Sequence, residues 1–234
     1  MLPPVFGVLF DGLAYGMLLF VLSVGLSVTL GLMNFVNLAH CAFAMLGGYV
    51  TVTLVNEFGW PFLATLPAAF AAAAIVSVAL ERTLYRRLYR ASDLDQVLLT
   101  IGLAFISVAI AAYIFGTTQQ PVETPALLRG SVNVLGLGLG KYRLFLVGVA
   151  LVVTVLLIAG LEYTRFGAQV RAAVDNQRMA RGLGSIAGSF IAAILIGVSD
   201  VAGKYYAPEL GAFLIYLVMV AVLMWRPAGL FGRR

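Results

Sequence analysis

The sequence predicts an all-α, polytopic bundle of transmembrane helices, and three observations carry that expectation. Hydrophobic residues make up 62% of the 234 and charged residues 11%, with a mean hydropathy of +1.02, more apolar surface than a water-soluble domain can bury. Apolar runs long enough to cross a hydrocarbon layer, roughly 20 residues, recur at Val5–Gly31, Leu38–Val55, Trp60–Leu80, Val97–Phe115, Leu144–Leu161, Ile186–Gly203 and Leu210–Trp225. Basic residues collect in alternate connections, as they do on the cytoplasmic side of membrane proteins. Arg82, Arg86, Arg87, Arg90, Arg165, Arg171, Arg178, Arg181, Arg226, Arg233 and Arg234 fall on one side, against Arg129, Lys141, Arg143 and Lys204 on the other. That bias puts the N-terminus outside and the C-terminus in the cytoplasm, and explains the net charge of +5 without nucleic acid.

No basic residue precedes the first run, and its apolar stretch exceeds the core of a cleavable signal, so a retained helix is expected. Within it, Gly12-x3-Gly16 and Ser23-x3-Ser27-x3-Gly31 are small-residue seams that let a neighbouring helix backbone come close. The second run is introduced by Gly31-Leu-Met-Asn-Phe-Val-Asn-Leu-Ala-His40. Asn34, Asn37 and the chain's only histidine therefore lie at or near membrane depth, where a polar group must be paired or face a wet cavity. His40 fits either an interhelical hydrogen bond or a pathway lining. The asparagines fit those roles or a short re-entrant break that satisfies its own backbone. Cys41 has no second thiol for a disulfide or a metal site and reads as a small packing residue.

After the third run, Glu81–Arg90 carries four arginines and reads as a cytoplasmic anchor with Tyr85 and Tyr89 as interfacial aromatics. Gly116–Arg143 is the long outer connection; its Gly136-x-Gly138-x-Gly140 lacks the strand–helix setting of a dinucleotide fingerprint and reads as a flexible turn. Asp200 and Lys204, four apart at the outer end of the sixth run, suit an ion pair on one helix face.

Enzyme equipment is missing. The chain has no HExxH, no GxSxG, no P-loop, no carboxylate pair within one span and no metal-ligand cluster, so catalytic residues, metals and cofactors are not expected and the chain is not read as an enzyme. What stands out instead is the polar island Arg165–Gly184 between apolar runs. It can form an amphipathic helix from about Ala168 to Arg181, with Gly182 and Gly184 as its stop. Such a helix can fill a groove on a soluble partner; a basic loop that only fixes topology accounts for the same residues.

Taken in order, these pieces resemble the membrane permease subunits of branched-chain amino acid ABC transporters, a family similar to amide and urea permeases. The matching stretches are Gly31–His40 with Gly47-Gly48-Tyr49, Glu81-Arg82, Thr100-Ile-Gly-Leu103 and Arg165-Phe-Gly-x3-Arg-Ala-x3-Asn176-x3-Ala180-x-Gly182. Gly184-Ser-Ile-Ala-Gly188 and Arg226-Pro-Ala-Gly-Leu-Phe-Gly232 complete the series. The resemblance implies one ABC-importer permease domain over 1–234 in the bacterial inner membrane. Its expected partners are a second related permease, cytoplasmic ATP-binding subunits that hydrolyse ATP, and a periplasmic amino-acid-binding protein. It further implies a substrate pathway near Asn34, Asn37, His40 and Thr100. The cytoplasmic coupling segment is 165–184, with Arg171, Ala172, Ala173, Asp175, Asn176, Ala180 and Gly182 at its characteristic positions. Cys41 stands where the family has glycine.

A larger departure lies at 184/185. The family's coupling helix is followed by two further spans before a second Gly-rich turn, whereas here Gly182-Leu183-Gly184 runs straight into Ser185-Ile186-Ala187-Gly188. About 50 to 60 residues, the length of two spans with their connections, look deleted. The resulting readings are a permease importing branched-chain, hydrophobic amino acids, or alternatively a deletion-impaired, non-transporting scaffold or an amide or urea permease of the same family.

Overall fold

A computed structural model describes residues 4–30, 35–89, 91–122, 124–134, 137–164 and 176–225, with backbone alone at 4, 134, 137, 176–185 and 187. Among the described residues an apolar helix stands at each of the seven expected runs. These are α1 (Pro4–Val28), α2 (His40–Asn56), α3 (Phe62–Leu80), α4 (Asp93–Phe115), α5 (Lys141–Tyr163), α6 (Asn176–Tyr206) and α7 (Gly211–Trp225). Five contain stretches long and apolar enough to cross a membrane, while α2 and α7, at 17 and 15 residues, are shorter. Large apolar side chains such as Phe70, Phe105 and Tyr113 face outward, as expected of a surface solvated by lipid.

Helix ends follow local chemistry. A capping box starts α4: the Ser92 hydroxyl accepts from Asp95 N–H, and the Asp95 carboxylate accepts from Ser92 N–H, both at 3.3 Å. Its end is Gly116, whose φ of +80° few other residues tolerate. Helix α3 runs on through a π-helical turn, Glu81–Tyr85, and a short α-turn, Arg86–Leu88.

The chain divides into two compact units, Met1–Met33 with Leu128–Arg234, and Asn34–Leu127. In the first, α1 and α6 pack antiparallel as its tightest pair. A Cβ on Gly12 would stand 2.6 Å from Val198 Cα, and one on Gly16 2.8 Å from Ile194 Cα, while Gly197 abuts the Gly16 backbone. The Gly12-x3-Gly16 seam is thus filled by another helix's main chain, with dispersion at close range as the attraction. Further along, Phe20 and Phe190 meet edge to face at 5.0 Å, and the Ser27 and Ser189 hydroxyls lie 2.6 Å apart. Phe20, Val24, Ile186 and Ala193 form the buried core. Arg143 at the start of α5 pairs with Asp11 of α1. In the second unit α2, α3 and α4 pack together.

Four sequence expectations change. Gly138 and Gly140 lie in a strand, β2 (Leu137–Gly140), paired antiparallel with β1 (Ser131–Val134). The Leu-Gly alternation lets the main chain pair flat, so this stretch is a hairpin and not a flexible turn. Tyr85, expected at the interface, is buried, because the π-helical turn carries it against Phe35 at 5.3 Å between ring centroids. Cys41, expected to pack, is exposed. Finally, Gly182 and Gly184 do not stop a helix: α6 passes through both and joins the expected end of the polar island to the sixth apolar run. Helix is favoured on both sides of this point, no proline interrupts it, and propagation outweighs the cost of two glycines.

Candidate functional site

The polar residues singled out before α2 meet a break in the helical backbone. Phe35, Val36 and Asn37 are in neither helix nor strand just before α2, and their polar groups need partners if they lie at membrane depth. Helix α4 supplies them. Gln96, 4% exposed, accepts from Val36 N–H at 3.0 Å through its amide oxygen. Its amide nitrogen donates to Leu88 O at 3.3 Å and Ala91 O at 3.4 Å. One side chain therefore pins the break to the end of the α3 extension. Thr100, fully buried, directs its hydroxyl chiefly to Gln96 O at 2.8 Å, with Val36 O within 3.3 Å. Tyr85 donates to the Asn37 side-chain oxygen at 3.5 Å, and Asn37 O accepts from His40 N–H at 3.3 Å where α2 begins.

Phe35 is wedged between Tyr85 and Tyr89, the latter edge to face at 5.5 Å. Tyr89 donates to Glu81, and burial together with that hydrogen bond pushes its phenol up to about 12. It therefore remains a neutral donor at any physiological pH.

The structure thus brings Asn37 and Thr100 to the same break, with half-buried His40 at its edge. Asn34 lies outside the described residues. Gln96 and Tyr85 complete the arrangement and were missed. For Gln96 a signal existed: it is an amide at the edge of an apolar run, much as Asn34 and Asn37 stand just before one. Tyr85 gave none, because its burial depends on a π-helical turn.

Beside the break, still within the second unit, lies a cavity of about 240 Å³ between α2, α3 and α4. Phe43, Leu46, Val76, Leu103 and Ile110 help to line it, and Tyr49 stacks on Phe115 at 4.2 Å in its wall. The Ser107 hydroxyl, also in the lining, donates to Leu103 O within its own helix. No charged residue lines the cavity, nor do Asn37, His40 or Thr100. In the first unit, Lys204 reaches Asp200 at 2.7 Å and lies 5.9 Å above the Tyr15 ring. Asp200 is buried and Lys204 exposed, the disposition of a snorkelled pair.

The profile of the family described as "Branched-chain amino acid transport system / permease component" matches residues 8–185, well over half of the chain. The chain belongs to that family. The branched-chain permease chain is 30% identical over 190 residues to the Methanocaldococcus jannaschii protein named "Probable branched-chain amino acid transport permease protein LivH", covering 76% of this chain and 57% of that one. It is 22% identical to the Pseudomonas aeruginosa "High-affinity branched-chain amino acid transport system permease protein BraD", covering 96% and 95%. With the Escherichia coli K12 protein of the same description, LivH, identity is 20% and coverage 96% and 94%. No solved structure matches significantly.

The two near-full-length alignments run over 293 and 297 positions, against the 234 residues of this permease-family chain. Stretches of those relatives therefore have no counterpart here, and the family profile ends at residue 185. Of the residues expected in a coupling segment, Arg171, Ala172, Ala173 and Asp175 lie outside the described residues. Asn176, Ala180 and Gly182 sit in the first turns of α6, whose backbone alone is described there.

Proposed function

We propose that this chain is the membrane permease subunit of an ATP-driven importer that moves branched-chain, hydrophobic amino acids inward across a bacterial inner membrane. The observation that carries the reading is the family match over residues 8–185 on a chain built of apolar helices. The proposed partners are cytoplasmic ATP-binding subunits, a second related permease and a periplasmic amino-acid-binding protein. The N-terminus is outside and the C-terminus cytoplasmic. The basic-residue bias supports this sidedness, and α1 and α6 run antiparallel, since Gly12 faces Val198 while Ser27 faces Ser189. The start of α6 therefore lies at the end of the unit opposite the ion pair between Asp11 and Arg143.

The substrate pathway runs past Asn34, Asn37, His40 and Thr100, beside the non-helical stretch Phe35–Asn37. Broken helices of this kind supply main-chain polar groups to solutes at midplane in other transporters. The neighbouring apolar cavity suits an aliphatic side chain and holds no charged group for the amino acid's own charges. The segment 165–184 takes the push of the ATP-binding subunits, and it must bind them differently in two states for that push to count. In the reconstituted importer, Ala180→Glu should lower leucine uptake by at least about tenfold with membrane insertion unchanged. Undiminished uptake would remove the coupling role from this segment.

A second reading is favoured by the alignment lengths and by the profile's end at 185: the chain has lost two spans at 184/185 and survives as a non-transporting scaffold that still assembles with its ATPase. Missing spans would expose small-residue seams to lipid and open the pathway wall. Inserting the corresponding relative's segment after Gly184 should then raise leucine uptake severalfold. Equal uptake with and without the insert would dismiss impairment.

A further inference from the structure

Helix α6 is longer than a membrane crossing needs. Its 31 residues span about 46 Å at the usual rise, against a hydrocarbon thickness near 30 Å. The sixth apolar run begins at Ile186, which leaves the turns from Asn176 to Ser185 before it. Those turns contain Asn176, Gln177, Arg178 and Arg181, a polar composition suited to water.

The membrane part of α6 is clamped to α1 from Ile186 to Val198. Near the start of the apolar part, Ile186 joins the core with Phe20 and Val24, and Ser189 meets Ser27. Just past its midpoint, Val198 closes on Gly12. The clamp begins within one turn of Gly184, the position where a flexible joint would have separated docking segment from span.

We propose that the turns Asn176–Ser185 form a rigid stalk continuous with the membrane helix, so that a load taken by the stalk is delivered to α1 and not absorbed in a loop. The functional half of this rests on the reading that an ATP-binding subunit grips this segment; the mechanical half does not. Lost chain between a docking helix and a distant span would have this effect: two elements once joined through intervening spans become one lever. Its fulcrum is the seam of Gly12, Gly16 and Gly197, where main chains abut and cannot slide without separating.

The mechanical half is tested on the full chain in lipid nanodiscs, in a Cys41→Ala background with spin labels at Gln177→Cys and Leu195→Cys. A continuous helix holds these sites about 27 Å apart along its axis. One narrow distance distribution near that value is expected, and Ser185→Pro, which removes a helix hydrogen bond and kinks the chain, should broaden and shorten it. A broad distribution in the parent would overturn the stalk. In the assembled importer, Ser185→Pro should retain the ATP-binding subunits but lose at least about tenfold of substrate-stimulated hydrolysis, whereas Ser185→Ala should keep it. Full stimulation in the proline variant would overturn the lever. Failure of the parent to bind the ATP-binding subunits would instead sink the coupling role, with the distance measurement still deciding the stalk.

Discussion

Gly197→Leu is expected to push α1 away from α6 and to destabilise the first unit. At Gly197 the neighbouring backbone of Gly16 already occupies the space a side chain would need, and Gly12 O lies just beyond it. A flexible side chain could turn away from an intruder; two main chains cannot. Overpacking a close contact costs about 1–3 kcal/mol where neighbours can shift, and a seam of backbone atoms belongs at or above the top of that range. Thermal unfolding in detergent should show a fall on the order of 10 °C, taking about 2–4 °C per kcal/mol for a chain of this size. The control is Gly102→Leu, where nothing lies within 4 Å of the added atom, and there stability should move by no more than about 0.5 kcal/mol. Equal effects at the two positions would mean that the close approach is not what holds α1 to α6.

The same seam shows what the sequence made legible. Gly12-x3-Gly16 could be read as a packing face because glycine at helical spacing in an apolar run has few other uses. Its partner could not be named, since nothing in the residues of α1 points to Gly197 some 180 positions away. The seven apolar runs were visible because lipid demands length and composition, and both are written linearly. Boundaries set by cooperativity were not. The two glycines after Arg181 are ordinary stop signals, yet helix propagated from both sides and overrode them. The hairpin at Ser131–Gly140 was hidden for the opposite reason: strand pairing depends on register between two short segments, and glycine alternation alone is ambiguous with a turn.

At the candidate site, cost was the readable signal. Asn37 attracted attention as a polar group in an apolar setting and Thr100 through the family resemblance, and they meet at the Phe35–Asn37 break. Their roles there differ from a simple lining. The Thr100 hydroxyl is spent on main-chain oxygens and Asn37 is buried, so as they stand both residues hold the break in shape. A solute that used the break would have to compete for those groups, and the gain would have to exceed the bonds displaced.

Gln96→Leu is expected to release that break. The substitution nearly conserves volume but leaves Val36 N–H and Ala91 O without the side-chain partner they have now, and Leu88 O with only its bond from Ala91 N–H. A buried polar group left unpaired costs about 1–3 kcal/mol, and water cannot readily replace the lost bonds in an apolar surrounding. The second unit should therefore lose at least about 3 kcal/mol of local stability, which raises amide exchange at Val36 on the order of a hundredfold. Two other substitutions separate the parts of this interaction. Gln96→Glu keeps an acceptor for Val36 N–H but, when ionised, cannot donate to Leu88 O or Ala91 O, so exchange at Val36 should rise less than in the leucine variant. Thr100→Val removes a hydroxyl whose shortest bond is within its own helix, where the carbonyl is already a helix acceptor, and should cost about 1 kcal/mol. If Val36 exchanges no faster in Gln96→Leu than in the parent, the amide of Gln96 does not hold the backbone there, and the interruption before α2 must owe its shape to the Phe35 wedge between Tyr85 and Tyr89.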